Sequence, residues 1–415
     1  MVQQFKIYPW ILSFLVIALF FNQGKIAMGS KEDFMPSRNS KEILIAAAAE
    51  ISSVAWNGKN FLVIWKRTGS DGKADIYGTR VSPAGEILDH SGFPISITPS
   101  DQNNSGVTWG SEHFLVTWDN DSHGIYGARV SPDGEVLDPQ GIRISGATEE
   151  YNKRGASVAS DGKSFLVAWE DHTSSNPTVD IYGARVSPDG KVLDPQGIRI
   201  STRRDGDYDG SPTVVWADKN FLVVWQGTTR NSTEFNLYGA RVTSEGQILD
   251  PEGLLISTTR AEEEFPRVAW GSNNFLIVWS NFDAASTIPG YITPEITGIY
   301  GKRMNSEGQI LDSKPLRFSA SVFYSSQPII AWGNETFLVV WQHRRGRNWH
   351  VYGAWVNSEG KMLNRKPFPI TTAAGVQAGG GIAFDGEKFF VVWNNYRPGS
   401  SEIYGTFLSE PNYVN

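Results

Sequence analysis

The sequence lacks cysteine entirely. None of its 415 residues is a cysteine, which excludes disulfide scaffolds, thiol nucleophiles, cysteine-ligated zinc, iron–sulfur clusters and c-type haem attachment. Positive charge is also scarce, since 37 Lys and Arg against 44 Asp and Glu give a formal net charge of −7. A general nucleic-acid binder needs a basic surface to displace counterions, so we expect no nucleic-acid partner. Only one long hydrophobic run is present.

This hydrophobic run covers residues 9–21 and follows a single positive side chain, Lys6. It is too short to cross a hydrocarbon core, which needs roughly 20 residues. Ala27 and Gly29 then place small residues where a signal peptidase requires them. We therefore expect 1–29 to be a cleaved signal peptide, with an uncleaved anchor as the alternative, and 30–41 to be a polar, disordered leader. The expected location is secreted, periplasmic or in the cell envelope, with no membrane span after cleavage.

The rest of the chain repeats one unit seven times, roughly every 50 to 60 residues. Each unit has a Phe-Leu-Val-x-Trp or closely similar motif followed by a Tyr-Gly pair. In all but the last unit, a Gly-containing turn, mostly Pro-Asp-Gly or Ser-Glu-Gly, then leads to a Leu-Asp or Leu-Asn step. The motif tryptophans are Trp65, Trp118, Trp169, Trp225, Trp279, Trp341 and Trp393.

Each unit contains four short runs rich in β-branched and aromatic residues, separated by turn-forming residues. We call these runs strands A to D in chain order. No segment has the sustained 3.6-residue period of a helix. Four antiparallel strands repeated seven times predict an all-β, seven-bladed β-propeller over 42–415. Because the last unit ends without a strand D, we expect Glu42-Ile-Leu-Ile45 to complete the last blade and close the ring.

Residues that recur in every unit are best explained as structural. The tryptophans of strands A and B predict packing between blades, because aromatic side chains dominate the burial of apolar surface. An arginine after each of the first five Tyr-Gly pairs lies nearly opposite the aspartate of the Leu-Asp step, as Arg185 does opposite Asp194. We interpret each such couple as a cross-strand ion pair.

The alternation of strand direction sorts the loops onto two faces. The A–B and C–D connections are tight, whereas the B–C and D–A connections vary in length and composition. Variable loops on a rigid scaffold commonly carry function. We therefore expect binding on the B–C/D–A face, called the variable face below, around the mouth of a central channel.

Candidate binding residues on the variable face come from five units. They are Glu170, Asp171 and His172; Tyr208 and Asp209; Tyr291; Arg344, Arg345, Arg347 and Trp349; and Tyr396 and Arg397. The first set offers acid–base groups or cation ligands, or is a common solvated loop. The arginine-rich set suits a carboxylated or sulfated glycan or an acidic protein surface, or is an exposed hairpin tip.

A metal site has one weak candidate. Asp119 and Asp121 begin a segment that faintly resembles a D-x-D-x-D-G calcium loop, but His123 stands where an oxygen ligand is wanted. We expect no cofactor, with Ca²⁺ as the alternative.

The pattern Phe-Leu-Val-x-Trp, Asp-Ile-Tyr-Gly-Ala-Arg-Val, Pro-Asp-Gly and Leu-Asp is clearest in 165–194. It resembles the repeats of exported bacterial seven-bladed β-propeller proteins of unassigned function. The resemblance covers 42–415 and implies a propeller outside the cytoplasm, without an activity. We expect a monomeric, non-catalytic binding or scaffolding protein that recognises an extracellular or envelope polysaccharide or protein. The alternative is an exported glycoside hydrolase or lyase that acts at the channel mouth.

Overall fold

The computed structural model describes residues 41–120, 124–146, 152–172, 179–202, 208–228, 234–259, 261–282, 297–319, 324–371, 373 and 375–411. The chain divides into two units, 1–36 and 37–415, and only the second contains described residues. The predicted signal peptide and all of the predicted leader except Lys41 therefore lie outside the described residues. Every helix or strand in the described part is a β-strand, as predicted, and the fold class is all-β.

The strands follow one another in groups of four. Strand β1 is Ile43–Ala47, and group 1 contains β2 (Glu50–Trp56), β3 (Phe61–Thr68), β4 (Ala74–Val81) and β5 (Phe93–Ser96). Group 2 contains β6 (Gln102–Gly110), β7 (His113–Asn120), β8 (Gly124–Val130) and β9 (Ile142–Arg143), and group 3 contains β10 (Asn152–Ser160), β11 (Phe165–His172), β12 (Val179–Val186) and β13 (Ile198–Arg199). Group 4 contains β14 (Tyr208–Ala217), β15 (Asn220–Thr228), β16 (Asn236–Thr243) and β17 (Leu254–Ser257).

The remaining groups have the same order. Group 5 contains β18 (Glu262–Gly271), β19 (Asn274–Phe282), β20 (Gly298–Asn305) and β21 (Leu316–Arg317). Group 6 contains β22 (Ser325–Gly333), β23 (Thr336–Arg345), β24 (Asn348–Asn357) and β25 (Phe368–Pro369). Group 7 contains β26 (Val376–Phe384), β27 (Phe389–Arg397) and β28 (Ser400–Leu408), and its fourth strand is β1.

Neighbouring strands within a group pair in antiparallel fashion. The N-terminal strand β1 runs antiparallel to β28, from Ile43 opposite Gly405 to Ala47 opposite Glu402. The first strands of consecutive groups contact one another in chain order, and β26 contacts β2. Each group therefore has two neighbouring groups, including the first and the last.

The core is divided among the spaces between neighbouring groups. The B-strand motif is apolar on both faces, and in group 3 every residue from Phe165 to Trp169 is at most 1% exposed. One cluster packs Leu115 and Ile125 of group 2 against Phe165 and Trp169 of group 3. Another packs Phe390 and Ile45 of group 7 against Phe61 and Trp65 of group 1. The B-strand tryptophans are thus core residues, as predicted.

The predicted Arg–Asp pairs are present and do more than expected. In group 3, Arg185 donates from Nε and Nη2 to both carboxylate oxygens of Asp194, at 2.8 and 2.9 Å. Its Nη1 also donates to the carbonyl oxygen of Ser244 in the next group, at 3.0 Å. Although burial opposes it, the guanidinium holds the pKa of Asp194 below its usual range. The ion pair is therefore also a link between groups.

The first strand of each group is longer than predicted because a β-bulge interrupts its pattern. In group 3 the register shifts between Arg154 and Ser157. The bulge holds a residue in the left-handed conformation in four groups, namely Gly155 (φ 68°), Ser211 (φ 54°), Phe265 (φ 55°) and Gln327 (φ 51°). Proline follows three of them, at Pro212, Pro266 and Pro328. Proline suits a bulge because it has no N–H group to leave unpaired.

Candidate functional site

The connections of the variable face meet between neighbouring groups. The backbone N–H of Ala74, which begins β4, donates to Asp101 Oδ1 at 2.8 Å. Asp101 lies in the connection between groups 1 and 2, and Lys73 pairs with it at 3.3 Å. A B–C loop of one group is therefore joined to the D–A connection that leads into the next.

Asp171 takes part in a buried ion pair. Its Oδ2 lies 2.8 Å from Nζ of Lys153, and the two side chains are 10% and 6% exposed. The two residues are opposite each other on β11 and β10. A carboxylate held in this way neutralises a buried lysine, so its role is structural within group 3.

Glu170 links group 3 to group 4. Its Oε1 accepts a hydrogen bond of 2.6 Å from the backbone N–H of Ser211, at the bulge of β14. Its Oε2 lies 3.0 Å from Nε2 of His172 and 3.6 Å from Nε of Arg154. Arg154 in turn donates from Nε to the same His172 nitrogen at 2.9 Å. The predicted Glu170–His172 set is thus a compact polar network that includes Arg154.

The bond made by Glu170 is one instance of a general link, which we call the bulge latch. The residue directly after the B-strand tryptophan accepts a hydrogen bond from the bulge N–H of the next group. The other instances are Gln226 Oε1 from Phe265 at 2.8 Å, Ser280 Oγ from Gln327 at 3.1 Å, and Asn394 Oδ1 from Ile51 at 2.9 Å. Sequence reasoning missed the latch because these positions share a hydrogen-bonding side chain rather than a residue type.

Tyr208 lies beside the Glu170 network. It begins β14, pairs in parallel with Val179 of the previous group, and packs its ring edge-on against Phe235 at 5.7 Å. Burial raises the pKa of Tyr208, and the carboxylate of Glu170 adds to the effect. Gly210 leaves room for it, because a Cβ there would lie 2.7 Å from the tyrosine hydroxyl oxygen. Asp209, the other predicted residue, is 1% exposed.

The arginine-rich candidates occupy a hairpin tip. Arg344 and Arg345 end β23, Arg347 lies in the turn before β24, and all three are exposed. The Nε of Arg344 donates to the carbonyl oxygen of Gly346 at 3.2 Å. The backbone N–H of Arg344 donates to the carbonyl oxygen of Tyr324 at 2.9 Å.

Tyr396 and Arg397 lie in a different sector of the variable face. Burial raises the pKa of Tyr396, and Glu50 of group 1 adds to the effect. Arg397 is half-exposed and lies 3.8 Å from Glu402. A cavity of about 320 Å³ opens nearby, lined by Ala48, Ala49, Glu50, Lys66, Thr68, Gly399, Ser400 and Ser401.

Two predicted residues, Asp121 and Tyr291, lie outside the described residues. Asp119 directly follows the motif tryptophan of β7, at the position that Glu170 has in group 3, and is 7% exposed. Among the described residues there is no group of three or more His, Asp or Glu side chains that could hold a metal ion. The calcium alternative therefore gains no support from the described part of the segment.

A row of aromatic side chains crosses the variable face, and sequence reasoning did not find it as a unit. Phe265 of group 5 meets Phe282 edge-on at 6.5 Å, and Phe282 stacks on Tyr324 at 5.0 Å. Tyr324 then meets Trp349 of group 6 edge-on at 5.5 Å. Of the four residues only Trp349 was predicted. We call this set the aromatic row.

Two carboxyl groups accompany the aromatic row. Glu262 and Glu264 lie on β18, opposite Phe282 and Ser280 of β19. Burial raises the pKa of Glu264 to about 7, and the charge of Glu262 adds to the effect. Burial also raises the pKa of Tyr324, with further contributions from Glu264 and Glu262. The aromatic row is thus bordered by carboxyl groups that resist ionisation.

No known protein-family profile matches the sequence, and no curated protein matches it. Solved structures do match. A puromycin-hydrolyzing peptidase of Mycobacterium tuberculosis has a TM-score of 0.53 and 11% identity, over 84% of this chain and 50% of that chain. A puromycin hydrolase has a TM-score of 0.55 and 13% identity, over 88% of this chain and 55% of that chain. The β-propeller domain of the Trilobed protease from Pyrococcus furiosus has a TM-score of 0.51 and 9% identity, over 88% of this chain and 99% of that chain.

These likenesses, together with the repeated groups of four strands, assign the chain to the all-β proteins with a β-propeller fold. The chain spans about half the length of the two hydrolases. At such low identity the likenesses concern the fold alone. In the part of the chain that the structure describes, no helix is long and apolar enough to cross a membrane.

Proposed function

We propose that this protein is an exported, monomeric, non-catalytic binding propeller that recognises a polysaccharide through its variable face. The observation that carries the proposal is the aromatic row. Rings of Phe, Tyr and Trp suit the apolar faces of sugar rings, and tyrosine and tryptophan add a polar group for the hydroxyls. Tyr324 is 36% exposed, and Phe265 and Trp349 are partly exposed, so these three rings are accessible to a ligand.

The same observation favours a polysaccharide over a protein partner. The ring contacts connect group 5 to group 6, and Phe282, which is 8% exposed, supports the more accessible rings on either side of it. Accessible rings spaced along a face suit an extended chain of sugar units. Polar groups border it on both sides, namely Glu262 and Glu264 on β18 and the exposed arginines of the β23–β24 hairpin. Sites that bind polar ligands combine apolar walls with a few placed polar groups in this way.

The scaffold that we infer is a closed ring of seven blades. Seven groups of four strands occur in the described part of the chain, and β1 provides the fourth strand of group 7. The clusters of the core lie between neighbouring groups, and one of them joins group 7 to group 1. A closed ring leaves no long sheet edge exposed.

The bonding of Glu170 and Asp171 argues against catalysis at that site. Asp171 is paired with Lys153, and Glu170 accepts the Ser211 N–H at 2.6 Å. Both carboxylates therefore already have structural partners. This makes them poor candidates for a catalytic pair that must contact substrate and water.

Hydrolysis of a glycan is the second candidate, and one observation favours it. Burial raises the pKa of Glu264 to about 7, so about half of this carboxyl group is protonated at neutral pH, and a general acid for a glycosidic bond must be protonated. If the protein is an exported glycosidase, Glu264→Gln should abolish turnover while the protein still binds its glycan.

The experiment is binding of the purified protein to insoluble and arrayed polysaccharides, with an assay of released reducing ends. We expect binding without release, and at least a tenfold weaker affinity for Trp349→Ala. Leu88→Ala removes an exposed apolar side chain from the opposite face and serves as the control. Absence of binding to any polysaccharide would contradict the proposal, whereas release of reducing ends that depends on Glu264 would establish the hydrolase.

A further inference from the structure

Phe265 has an unusual backbone conformation for an aromatic residue. Its φ of 55° places it in the left-handed region, which side chains other than glycine rarely adopt. Proline follows it, which restricts its backbone further. Group 3 places a glycine, Gly155, at the same position of its bulge. The backbone of Phe265 is therefore strained. Strained backbone conformations of this kind cluster at functional sites.

The bulge latch does not explain why residue 265 has an aromatic side chain. The latch uses the backbone N–H of Phe265, which donates to Gln226 Oε1 at 2.8 Å. Ser211 and Gln327 make the same bond in groups 4 and 6, at 2.6 and 3.1 Å, without an aromatic side chain. Any residue with a backbone N–H can therefore complete the latch at this position.

Burial does not explain the ring either. The residue is partly exposed, and its ring meets that of Phe282 edge-on at 6.5 Å. Fully buried phenylalanines in this protein, such as Phe221 and Phe275, instead form part of the clusters between groups. Phe265 is thus the terminal ring of the aromatic row, at the bulge of β18.

The polar groups around Phe265 indicate what kind of ligand it would contact. Glu264 precedes it, and the charge of Glu264 contributes to raising the pKa of both Tyr208 in group 4 and Tyr324 in group 6. Ring contacts connect Phe265 to Tyr324 through Phe282. On the other side, the N–H of Phe265 donates to Gln226, which pairs with Gly210, two residues after Tyr208. A carboxyl group and two phenols beside a partly exposed ring provide donors and acceptors for hydroxyl groups. Above the raised pKa of Glu264, which is about 7, the ionised carboxyl groups on β18 repel an anion, and an uncharged ligand then fits best.

We propose that Phe265 is the stacking platform of a subsite for one uncharged sugar unit, whose hydroxyl groups bind Glu264, Tyr208 and Tyr324. The subsite lies at the group 5 end of the aromatic row and rests on the proposed function of that row. It makes Phe265 a specificity-determining residue that selects neutral over acidic polysaccharides.

The test uses the variation that the chain itself contains. Phe265→Gln installs the residue that group 6 has at the same position, and Phe265→Gly installs that of group 3. Ser211→Gly and Gln327→Gly are matched controls, because they also relieve a left-handed residue but remove no ring. Each variant is measured by thermal unfolding and by binding to neutral polysaccharides (arabinan, xylan and β-glucan) and to acidic ones (pectate and alginate).

At pH 8, where Glu264 is ionised, we expect wild-type protein to prefer a neutral polysaccharide. Phe265→Gln and Phe265→Gly should bind it at least tenfold more weakly with an unchanged or raised melting temperature, and the controls should bind normally. Unchanged binding by both Phe265 variants, or an equal loss in the controls, would overturn the subsite and leave the proposed function standing. Wild-type binding only to acidic polysaccharides would do the same, whereas no binding at all would overturn both.

Discussion

Arg185 and Ser244 lie in neighbouring groups of strands and are joined by a hydrogen bond of 3.0 Å from Nη1 to the carbonyl oxygen. The remaining guanidinium donors of Arg185 hold Asp194 within its own group. The same double use occurs in groups 2, 4 and 5, where Arg129, Arg241 and Arg303 donate to the carbonyl oxygens of Pro188, Ser306 and Ser358. One side chain therefore stabilises both a hairpin and the contact between two groups.

Loss of this link should be measurable. We expect Arg185→Ala to lower the free energy of unfolding by about 2 kcal/mol, because it removes charge-assisted hydrogen bonds and leaves Asp194 without its guanidinium. Arg199→Ala is the control, since Arg199 pairs with Asp180 in the same group but its side chain is 42% exposed. Its loss should cost less than about 1 kcal/mol. Equal effects of the two variants in urea denaturation would contradict a special role for Arg185.

The bulge latch predicts different results for two substitutions of Glu170. Glu170→Gln should retain stability within about 0.5 kcal/mol, because Gln226 makes the same bond to Phe265 in the next group. Glu170→Ala removes the acceptor and should destabilise the protein by about 1 to 3 kcal/mol, since the Ser211 N–H loses its partner. Urea denaturation of both variants is the measurement. An Ala variant as stable as the Gln variant would show that the latch contributes nothing.

Glu263 predicts how stability depends on pH. Its side chain is fully buried, and burial raises its pKa to about 7, although Ser257 donates a hydrogen bond to it at 2.8 Å. Between pH 4.5 and 7 the folded state keeps a proton that the unfolded state releases, so stability falls as pH rises through this window. The loss contributed by this group is at most about 3 kcal/mol.

The variant Glu263→Gln mimics the protonated carboxyl group and cannot ionise. We expect its melting temperature to exceed that of the wild type at pH 8 and to approach it at pH 5. Glu135→Gln, which changes an exposed glutamate, is the control and should follow the wild type at both values. Parallel pH profiles for wild type and Glu263→Gln would contradict the prediction.

The N-terminal strand offers a matched pair of substitutions. Ile45 is 3% exposed and packs into the cluster between groups 7 and 1, whereas Leu44, one residue earlier, is 48% exposed. Ile45→Ala should lower the free energy of unfolding by about 2 to 4 kcal/mol and Leu44→Ala by less than about 0.5 kcal/mol. Deletion of 42–47 should be more damaging than either, because it exposes the edge of β28. An unchanged melting temperature after the deletion would contradict the pairing of β1 with β28.

The strands could be predicted because their signals are local. The motif from Phe165 to Trp169 is apolar on both faces, and the turn at 187–190 has a glycine with the positive φ of 87° that its hairpin requires. The first halves of the A strands, such as Tyr208–Gly210, were missed because the bulge interrupts the alternation of side chains. The alternation of apolar and polar side chains identifies a strand only where it is unbroken. It therefore misses residues that pair with the same neighbour on the other side of a bulge.

The site could be predicted only in part, because its contacts lie between groups. The variable face was expected from loop lengths, and Trp349 was expected from its position beside the arginines. Phe282 and Tyr324, however, stack on each other from two different groups, so their partnership arises from the packing of groups. The role of Glu170 was also hidden, because a serine, a glutamine or an asparagine serves equally well at the equivalent position.

The pairing of β1 with β28 has a consequence for how the chain folds. During synthesis on the ribosome, β1 is made before the other strands and its partner β28 is made after them. The strand β1 therefore has no partner until all seven groups have been synthesised. Contacts so distant in sequence form late, after shorter loops have closed. An incomplete chain carries β1 and an open sheet edge at the same time, and two such chains could exchange strands. Domain-swapped dimers are therefore the misfolded species to look for when this protein is refolded at high concentration.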